Sequence, residues 1–203
     1  MKTLYINTAT RKTTIALFDG NQVVAEQRWP AEHNESEKLQ PAVQQLLTKQ
    51  KLAPDDIGQL MVCVGPGGFT SVRVGVSAMN TWAFVNKIPV AQVSVFDLYP
   101  TNESVIIVSA NSNEAWVKLP GKDPQWVHQE QLQLPPKFSY GGILNADWER
   151  ILDKLGGRFL ELHEALPDVG ALSFREQIVK PWYYKDANIT WSAKHKPPAS
   201  SQL

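Results

Sequence analysis

The sequence of 203 residues predicts a mixed α/β protein, because strand-like apolar segments open the chain and two helical segments follow with a further strand between them. The first three strands are expected over residues 4–10, 13–18 and 22–28. Asp19-Gly20 separates the second from the third, and this dipeptide is typical of a tight hairpin turn. We therefore expect an antiparallel meander at the start of the chain.

The first helix is predicted over residues 36–50, where apolar side chains recur at helical spacing. These side chains are Leu39, Val43, Leu46 and Leu47. Ser36 is placed to cap the N-terminus of the helix, and Pro41 would either kink the helix or mark a late first turn. The wholly apolar residues 60–64 then predict a strand buried on both faces of a sheet.

A glycine-rich run, VGPGGFTSVRVG at residues 64–75, connects this strand to the second helix. A glycine turn before a helix exposes backbone N–H groups at the positive end of the helix dipole, and this geometry binds anions. A Walker A loop needs Lys-Ser or Lys-Thr after its glycines, but Phe69-Thr70 stands there, and the third glycine of a dinucleotide loop is missing. We favour a structural role for the turn, with Gly67 and Gly68 as candidate phosphate contacts.

The second helix, predicted over residues 70–85, has two usable faces. One face carries Ser71, Gly75, Ala78 and Trp82, and the adjacent face carries Val72, Val76, Met79 and Ala83. The second set can pack on the sheet, whereas the small residues of the first set permit close approach of another helix and Trp82 provides an anchor. Gly75 costs ~1 kcal/mol relative to alanine inside a helix, which indicates a close-packing reason for it. The pattern fits a helix that meets a partner and a helix buried in its own domain equally well.

A change of composition near residues 100–102 predicts two domains, 1–99 and 100–203. The predicted elements of the second are a hairpin of strands 104–109 and 115–119 and a short helix over 146–155. The tail over 194–203 is expected to be disordered. Strands followed by a helix in both halves hint at a duplicated design.

The charge balance argues against unaided nucleic-acid binding, because 20 basic residues oppose 20 acidic ones and the net charge is zero. The one cysteine, Cys63, rules out an intramolecular disulfide, which suits a reducing compartment. The sequence shows no signal peptide and no apolar run of membrane-spanning length. We therefore expect a soluble, cytoplasmic protein.

Neither catalysis nor a metal site is predicted. The histidines are scattered singly, whereas zinc needs closely spaced ligands; they are His33, His128, His163 and His195. Cys63 lies in the buried strand, where a core thiol is the better interpretation. Thr8 and Thr10 end the first strand, where their hydroxyls would either contact a phosphate or close a turn.

Two further features have alternative interpretations. Arg73 on the second helix either pairs with a partner carboxylate or is solvated. The second half is rich in tryptophan, with Trp116, Trp126, Trp182 and Trp191. We favour packing roles for these rings over stacking on RNA, and a solvated end over a tRNA contact for the mildly basic residues 185–196.

Four segments resemble the TsaB (YeaZ) family. They are YINTATRKTTIALF near the N-terminus, SEKLQPAVQQLL on the first helix, VGPGGFTSVRVG, and KPWYYKDANITWSAKHK near the C-terminus. The resemblance covers most of the first hundred residues, and the glycine-rich run is its most specific part. It implies an actin-like ATPase (ASKHA, ribonuclease H-like) fold with two lobes, of which the second is reduced here.

The resemblance also implies a non-catalytic subunit that stabilises and activates a TsaD-like transferase, which forms N6-threonylcarbamoyladenosine at position 37 of tRNA. In the family the two helices of the first lobe form the subunit interface. The implied interface residues here are Ser36, Leu39, Val43, Leu47, Ser71, Gly75, Ala78, Met79 and Trp82. A TsaE-like ATPase is a further implied partner, the protein alone would form a homodimer, and tRNA would be contacted only through the complex. No cofactor is required, and ATP or ADP would bind at the subunit junction.

The sequence departs from the family pattern at two strand ends. Asn7 stands where the first strand usually ends in Asp, and Ser109-Ala110-Asn111 stands for the usual Asp-Ala-Arg of the second lobe. An amide lacks the negative charge that a magnesium site prefers. These departures argue against the alternative functions that remain open: a small ATPase or sugar kinase of the same fold. A divergent homodimer with another partner is the third alternative, and a glycoprotease activity is disfavoured by the scattered histidines.

Overall fold

The computed structural model describes residues 1–32, 34–99 and 103–182. This part of the chain forms two five-stranded sheets. The first contains β1 (Lys2–Asn7), β2 (Lys12–Asp19), β3 (Gln22–Pro30), β4 (Ile57–Cys63) and β5 (Val90–Val93). The second contains β6 (Val105–Ser109), β7 (Glu114–Lys118), β8 (Gln125–His128), β9 (Ser139–Ile143) and β10 (Arg158–Phe159).

Both sheets have the same topology. The strand order is β3-β2-β1-β4-β5 in the first sheet and β8-β7-β6-β9-β10 in the second. In each sheet the first three strands form an antiparallel meander, and the fourth strand pairs parallel with the first and with the fifth. The similarity between the two halves of the sequence therefore corresponds to a repeated strand order.

The core of the first sheet lies along β1 and β4. Residues 60–63 of β4 are completely buried, as the apolar run predicted, because β4 lies between β1 and β5. In β1, residues 3–7 are all buried, including the polar Thr3 and Asn7. The end of β1 is thus an interior position, which limits what its side chains can bind.

Two helices lie side by side on this sheet. Helix α1 (Glu35–Lys49) packs on β2 and β3, and α2 (Phe69–Asn86) packs on β1 and β4. The predicted sheet-facing residues of α2 are confirmed as buried: Val72, Val76, Met79 and Ala83. The predicted N-cap of α1 is wrong, because Asn34 precedes the helix and its carbonyl accepts the N–H groups of Glu37 and Lys38. The helix continues through Pro41.

The second sheet carries the short helix α3 (Ala146–Lys154), whose Trp148 and Leu152 are completely buried. Beyond β10 the chain returns to the first half of the molecule, where Ala165 N–H donates at 2.8 Å to the carbonyl of Leu98, in the 3₁₀ turn that follows β5. We call residues 175–182 the C-terminal strap. It pairs with β5 through Val90 and Arg175, and Trp182 N–H donates to the carbonyl of Val64 at 2.7 Å.

The predicted boundary at residues 100–102 and the predicted disordered tail lie outside the described residues, so the division into domains 1–99 and 100–203 stays a prediction. The strap nevertheless ties the second half of the chain to the edge of the first sheet. None of the helices within the described residues has the length and apolar character needed to span a bilayer.

Candidate functional site

The glycine turn between β4 and α2 packs against the end of β1. A Cβ atom on Gly67 would lie 2.3 Å from the carbonyl oxygen of Ala9, so the two backbones meet with no room for a side chain. Gly68 precedes α2, and its carbonyl accepts the N–H of Val72 at 2.9 Å. Gly67 thus has a structural reason that does not involve phosphate, and Gly68 is the N-cap of α2.

The hydroxyls of Thr8 and Thr10 are buried and already bonded. Thr8 Oγ1 donates to the carbonyl of Ser71 at 2.6 Å, which ties the end of β1 to α2. Thr10 Oγ1 accepts from Asn7 Nδ2 at 3.0 Å and lies 2.9 Å from Glu164 Oε2. These partners favour the turn-closing interpretation of both threonines over phosphate contact.

An asparagine closes the first hairpin turn of each sheet. Asn7 Oδ1 accepts the N–H of Ala9 at 2.9 Å, immediately after β1. In the turn after β6, Asn111 Oδ1 accepts the N–H groups of Asn113 and Glu114 at 2.8 and 2.9 Å. The two departures from the family pattern therefore have a common structural effect, since each amide consumes turn N–H groups that a bound anion would need. This asparagine motif was present in the sequence and could have been identified as an Asx turn.

An apolar groove of ≈ 510 Å³ runs between α1 and α2. Leu39 and Val43 of α1 line one side, and Val74, Ala78, Trp82 and Val85 of α2 line the other. Ser36 and Thr81 are among the polar residues that also line it. The groove is the place where the structure brings the predicted interface residues together.

Six of the nine predicted interface residues line this groove: Ser36, Leu39, Val43, Ala78, Met79 and Trp82. Ser36 and Ala78 are exposed and Trp82 is half-buried, whereas Leu39, Val43 and Met79 are buried. The other three, Leu47, Ser71 and Gly75, are buried and do not line it. These three residues pack inside this chain and hold the two helices in position, and their role as contact residues stays a prediction.

The small-residue face of α2 illustrates this internal packing. A Cβ atom on Gly75 would lie 2.5 Å from Thr8 Oγ1, so the glycine permits close approach of α2 to its own sheet. Ser71 Oγ donates to the buried carboxylate of Glu35 at 3.3 Å, which links α2 to the first turn of α1. Sequence reasoning missed Glu35, and only the buried contact shows its role.

Helix α2 has fewer charged residues than is usual for a helix with a solvent-exposed side. Arg73 is its one charged residue in 18, yet Phe84 and Val85 are 79% and 69% exposed. Sequence reasoning missed Val74 and Val85 of the groove, although this scarcity of charge would have identified them. The Arg73 guanidinium lies 3.9 Å from the centre of the Phe69 ring, a cation–π contact within the helix.

The remaining candidate residues have packing roles. Burial raises the pKa of the Cys63 thiol to about 12, so the thiol stays protonated as expected for a core cysteine. Trp116 contacts Trp126 and Trp182 edge to face, with ring centres 5.7 and 5.1 Å apart. His33, Trp191, His195 and the basic residues 185–196 lie outside the described residues. Within residues 1–32, 34–99 and 103–182, the His, Cys, Asp and Glu side chains form no group of three or more that could hold a metal ion.

Glu164 joins the two halves of the chain at the end of β1. Its carboxylate accepts from Tyr99 Oη at 3.3 Å and lies beside the Thr10 hydroxyl. The Arg28 guanidinium donates to the Glu164 carbonyl at 3.2 Å, and the Arg11 guanidinium donates to the Leu144 carbonyl. The Glu164 carboxylate thus lies beside Thr10, one of the residues predicted to contact a phosphate.

Comparison with known proteins gives a consistent assignment. The family model of TsaD, described as tRNA N6-adenosine threonylcarbamoyltransferase, matches residues 23–112. The chain is 35% identical over 102 residues to the tRNA threonylcarbamoyladenosine biosynthesis protein TsaB of Bacillus subtilis, a match that covers 50% of this chain and 44% of that protein. The TsaB protein of Escherichia coli is 35% identical over 95 residues, which cover 46% of this chain and 40% of that protein.

The chain is thus similar to TsaB proteins over about half of its length. Its match spans less than half the length of these two TsaB relatives. A protein of Pseudomonas aeruginosa with similarity to the peptidase YeaZ has a related structure, with a TM-score of 0.71 and 17% identity over 91% of this chain and 99% of that one. YeaZ of the same organism gives a TM-score of 0.59 and 16% identity over 76% and 90% of the two chains. These two structures show that the chain has the fold of YeaZ, in agreement with the predicted α/β class.

Proposed function

We propose that this protein is the partner subunit that stabilises and activates a TsaD-like transferase, which forms N6-threonylcarbamoyladenosine at position 37 of tRNA. One observation carries the proposal: the α1–α2 groove is lined by apolar side chains, and the exposed side of α2 has almost no charge. Charge depletion around a large aromatic residue is typical of the centre of a protein interface, and Trp82 occupies that place here.

The TsaD family match supports the identity of the partner. It spans residues 23–112, so it includes both helices that line the groove. A TsaD-like subunit is therefore expected to present a related helix pair. Two related helix pairs can pack around an approximate two-fold axis, with apolar ridges of one pair in the groove of the other. The same geometry would also permit two copies of this chain to pair when no partner is present.

We propose further that the subunit has no catalytic activity of its own. Asn7 and Asn111 close the two turns that would have to receive phosphates, and Glu164 places a carboxylate beside Thr10. ATP or ADP would accordingly bind at the junction with the partner. The zero net charge is consistent with a subunit that contacts tRNA only through the complex. The complex would act in the cytoplasm. A TsaE-like ATPase would join the same assembly.

Sedimentation velocity tests the proposal, with the protein alone and then mixed with the TsaD-like subunit from the same source. We expect a heterodimer to replace any self-dimer. Ala78→Glu places a charge in the groove at an exposed position and should abolish the heterodimer. Leu155→Glu is the matched control, because Leu155 is 50% exposed just after α3 and far along the chain from the groove. The proposal would be wrong if the two proteins sedimented independently, or if the Ala78→Glu variant still formed the heterodimer.

The alternative of an ATPase or sugar kinase predicts magnesium-dependent nucleotide binding by this chain alone. Calorimetric titration with ATP and Mg²⁺ separates the two functions. We expect no binding heat from this subunit alone, because the turn N–H groups are already bonded. Saturable binding that needs Mg²⁺ would favour the enzyme.

A further inference from the structure

A second apolar surface lies at the C-terminal end of α2. Phe84 and Val85 of the helix are joined there by Ile178 of the C-terminal strap, which is 72% exposed. We call these three residues the distal patch. They line a cavity of ≈ 790 Å³ together with Lys87 and Glu176. Large apolar side chains so exposed and so close together mark an interaction surface rather than ordinary scatter.

The strap holds Ile178 in place on both sides. Before it, Gln177 Nε2 donates to the Val90 carbonyl at 3.3 Å. After it, Val179 N–H donates to Asn80 Oδ1 at 3.0 Å, and Asn80 Nδ2 donates back to the Val179 carbonyl at 2.9 Å. The Asn80 amide thus pairs with the strap as a backbone peptide would. Because its neighbours are fixed to α2 and β5, Ile178 is presented in a defined position and needs little ordering on binding.

The distal patch is continuous with the groove. Val85 lines both cavities, so a surface that fills the groove reaches Phe84 and Ile178 without a break. The helix ends immediately beyond, because Lys87 adopts a left-handed conformation and α2 does not continue. Groove and patch therefore form one apolar strip along the exposed side of α2.

The charges at the patch indicate a protein occupant. Lys87 and Glu176 have opposite signs, so the patch offers no excess of positive charge to phosphate groups of RNA or of anionic lipids. An apolar centre with a mixed polar rim is the composition of protein–protein interfaces.

We infer that the distal patch is a second contact region for the same TsaD-like subunit, so that the strap contributes Ile178 to the interface along with the two helices. The inference rests on the proposed function and extends it. The partner segment that packs here is an apolar helix surface continuous with the one that fills the groove. The second half of the chain thereby takes part in recognition of the partner.

Binding measurements with the full-length chain and its TsaD-like partner test this inference. Ile178→Glu and Phe84→Glu should each weaken the complex about 10-fold or more. Each substitution places a charge where the complex would bury an apolar side chain, and this charge would have to lose its water. Ala78→Glu marks the groove, and Leu155→Glu is the exposed apolar control on the second lobe. Thermal unfolding of each free variant confirms that the fold is retained, and the milder Ile178→Ala should weaken the complex in the same direction.

The outcomes separate the inference from the proposed function. Loss of binding with Ala78→Glu and unchanged binding with both patch variants would overturn the distal patch and leave the proposed function intact. A wild-type chain that does not bind the TsaD-like subunit would overturn both. If the wild-type chain self-associated, the Ile178→Glu variant did not, and both bound the TsaD-like subunit equally well, the patch would be a contact with a second copy of this chain. The inference would then be wrong.

Discussion

Gly75 of α2 lies directly against Thr8 at the end of β1, where a Cβ atom on residue 75 would be only 2.5 Å from Thr8 Oγ1. The threonine hydroxyl has little freedom to move away, because it donates a 2.6 Å hydrogen bond to the carbonyl of Ser71. Helix α2 is therefore seated on its own sheet through a contact that only glycine permits.

Gly75→Ala is expected to destabilise the protein by about 1–3 kcal/mol, because overpacking forces Thr8 or the helix to shift. Helix propensity alone would give the opposite sign, a gain of about 1 kcal/mol. Urea unfolding measures the difference. Ser77→Ala on the exposed side of the same helix is the control and should change stability by less than about 0.5 kcal/mol. A more stable Gly75→Ala variant would show that the contact with Thr8 is not tight.

Asn7→Ala should lower the free energy of unfolding by about 1–3 kcal/mol, because it leaves the buried N–H of Ala9 without its acceptor. Thr10 loses a donor at the same time. Chemical unfolding checks the loss, and Asn21→Ala in the exposed turn between β2 and β3 is the control. Equal stability of the two variants would contradict the role given to the Asn7 side chain.

Asn7→Asp restores a carboxylate at the strand end, yet we expect no binding of ATP with Mg²⁺ to the chain alone. Glu164 already places a negative charge beside Thr10, and Asn111 still closes the turn of the second sheet. Calorimetric titration of the variant and of the wild-type chain provides the comparison. Nucleotide binding gained by this single substitution would mean that the other groups do not obstruct the site.

Glu164→Gln should destabilise the contact between the two halves of the chain by about 1–3 kcal/mol, because the neutral amide replaces a charged acceptor of the Tyr99 hydroxyl. Glu161→Gln, at an exposed position three residues earlier, is the matched control. Urea unfolding monitored by tryptophan fluorescence measures both. Indistinguishable midpoints would refute a stabilising role for the Glu164 carboxylate.

Cys63 makes stability depend on pH in the alkaline range. Burial raises the pKa of this thiol to about 12, above the 9.0 of an ordinary cysteine, so folding favours the protonated form. Its contribution is complete below pH ~9 and is lost as the pH rises toward 12, at up to about 1.4 kcal/mol per pH unit. Cys63→Ala should remove this part of the slope, as measured by unfolding at several pH values. The buried Tyr5 phenol, whose pKa is also raised, contributes a slope of the same sign in both proteins. Identical slopes would contradict the prediction.

Local patterns predicted the first half of the fold well. Alternating and continuous apolar runs identified the meander and β4, and the periodicity of α2 identified the residues that face the sheet, because these patterns reflect burial directly. The same periodicity could not separate a helix face that meets a partner from one that packs internally. Ser71 and Gly75 lie on the predicted interface face, yet they contact Glu35 and Thr8 of their own chain.

The parts that sequence reasoning missed depend on contacts between distant segments. Glu164 and Thr10 are 154 residues apart, and Asn80 and Val179 are 99 apart. No local pattern encodes such pairs, because each residue alone resembles an ordinary surface residue. The distal patch was missed for the same reason, since Ile178 reaches Phe84 only through the path of the strap.

The C-terminal strap makes the last described residues of the second half necessary to the first sheet. It covers the open edge of β5 and holds α2 through Asn80, so these contacts must remain if α2 is to keep its position. Within the described residues no strand of the second sheet supplies one of these hydrogen bonds, but Trp116 of β7 packs edge to face on Trp182 of the strap. Loss of the second sheet would thus leave the hydrogen bonds of the strap in place but remove this aromatic contact, whereas a fragment ending near residue 100 would carry α1 and α2 and lack the strap altogether.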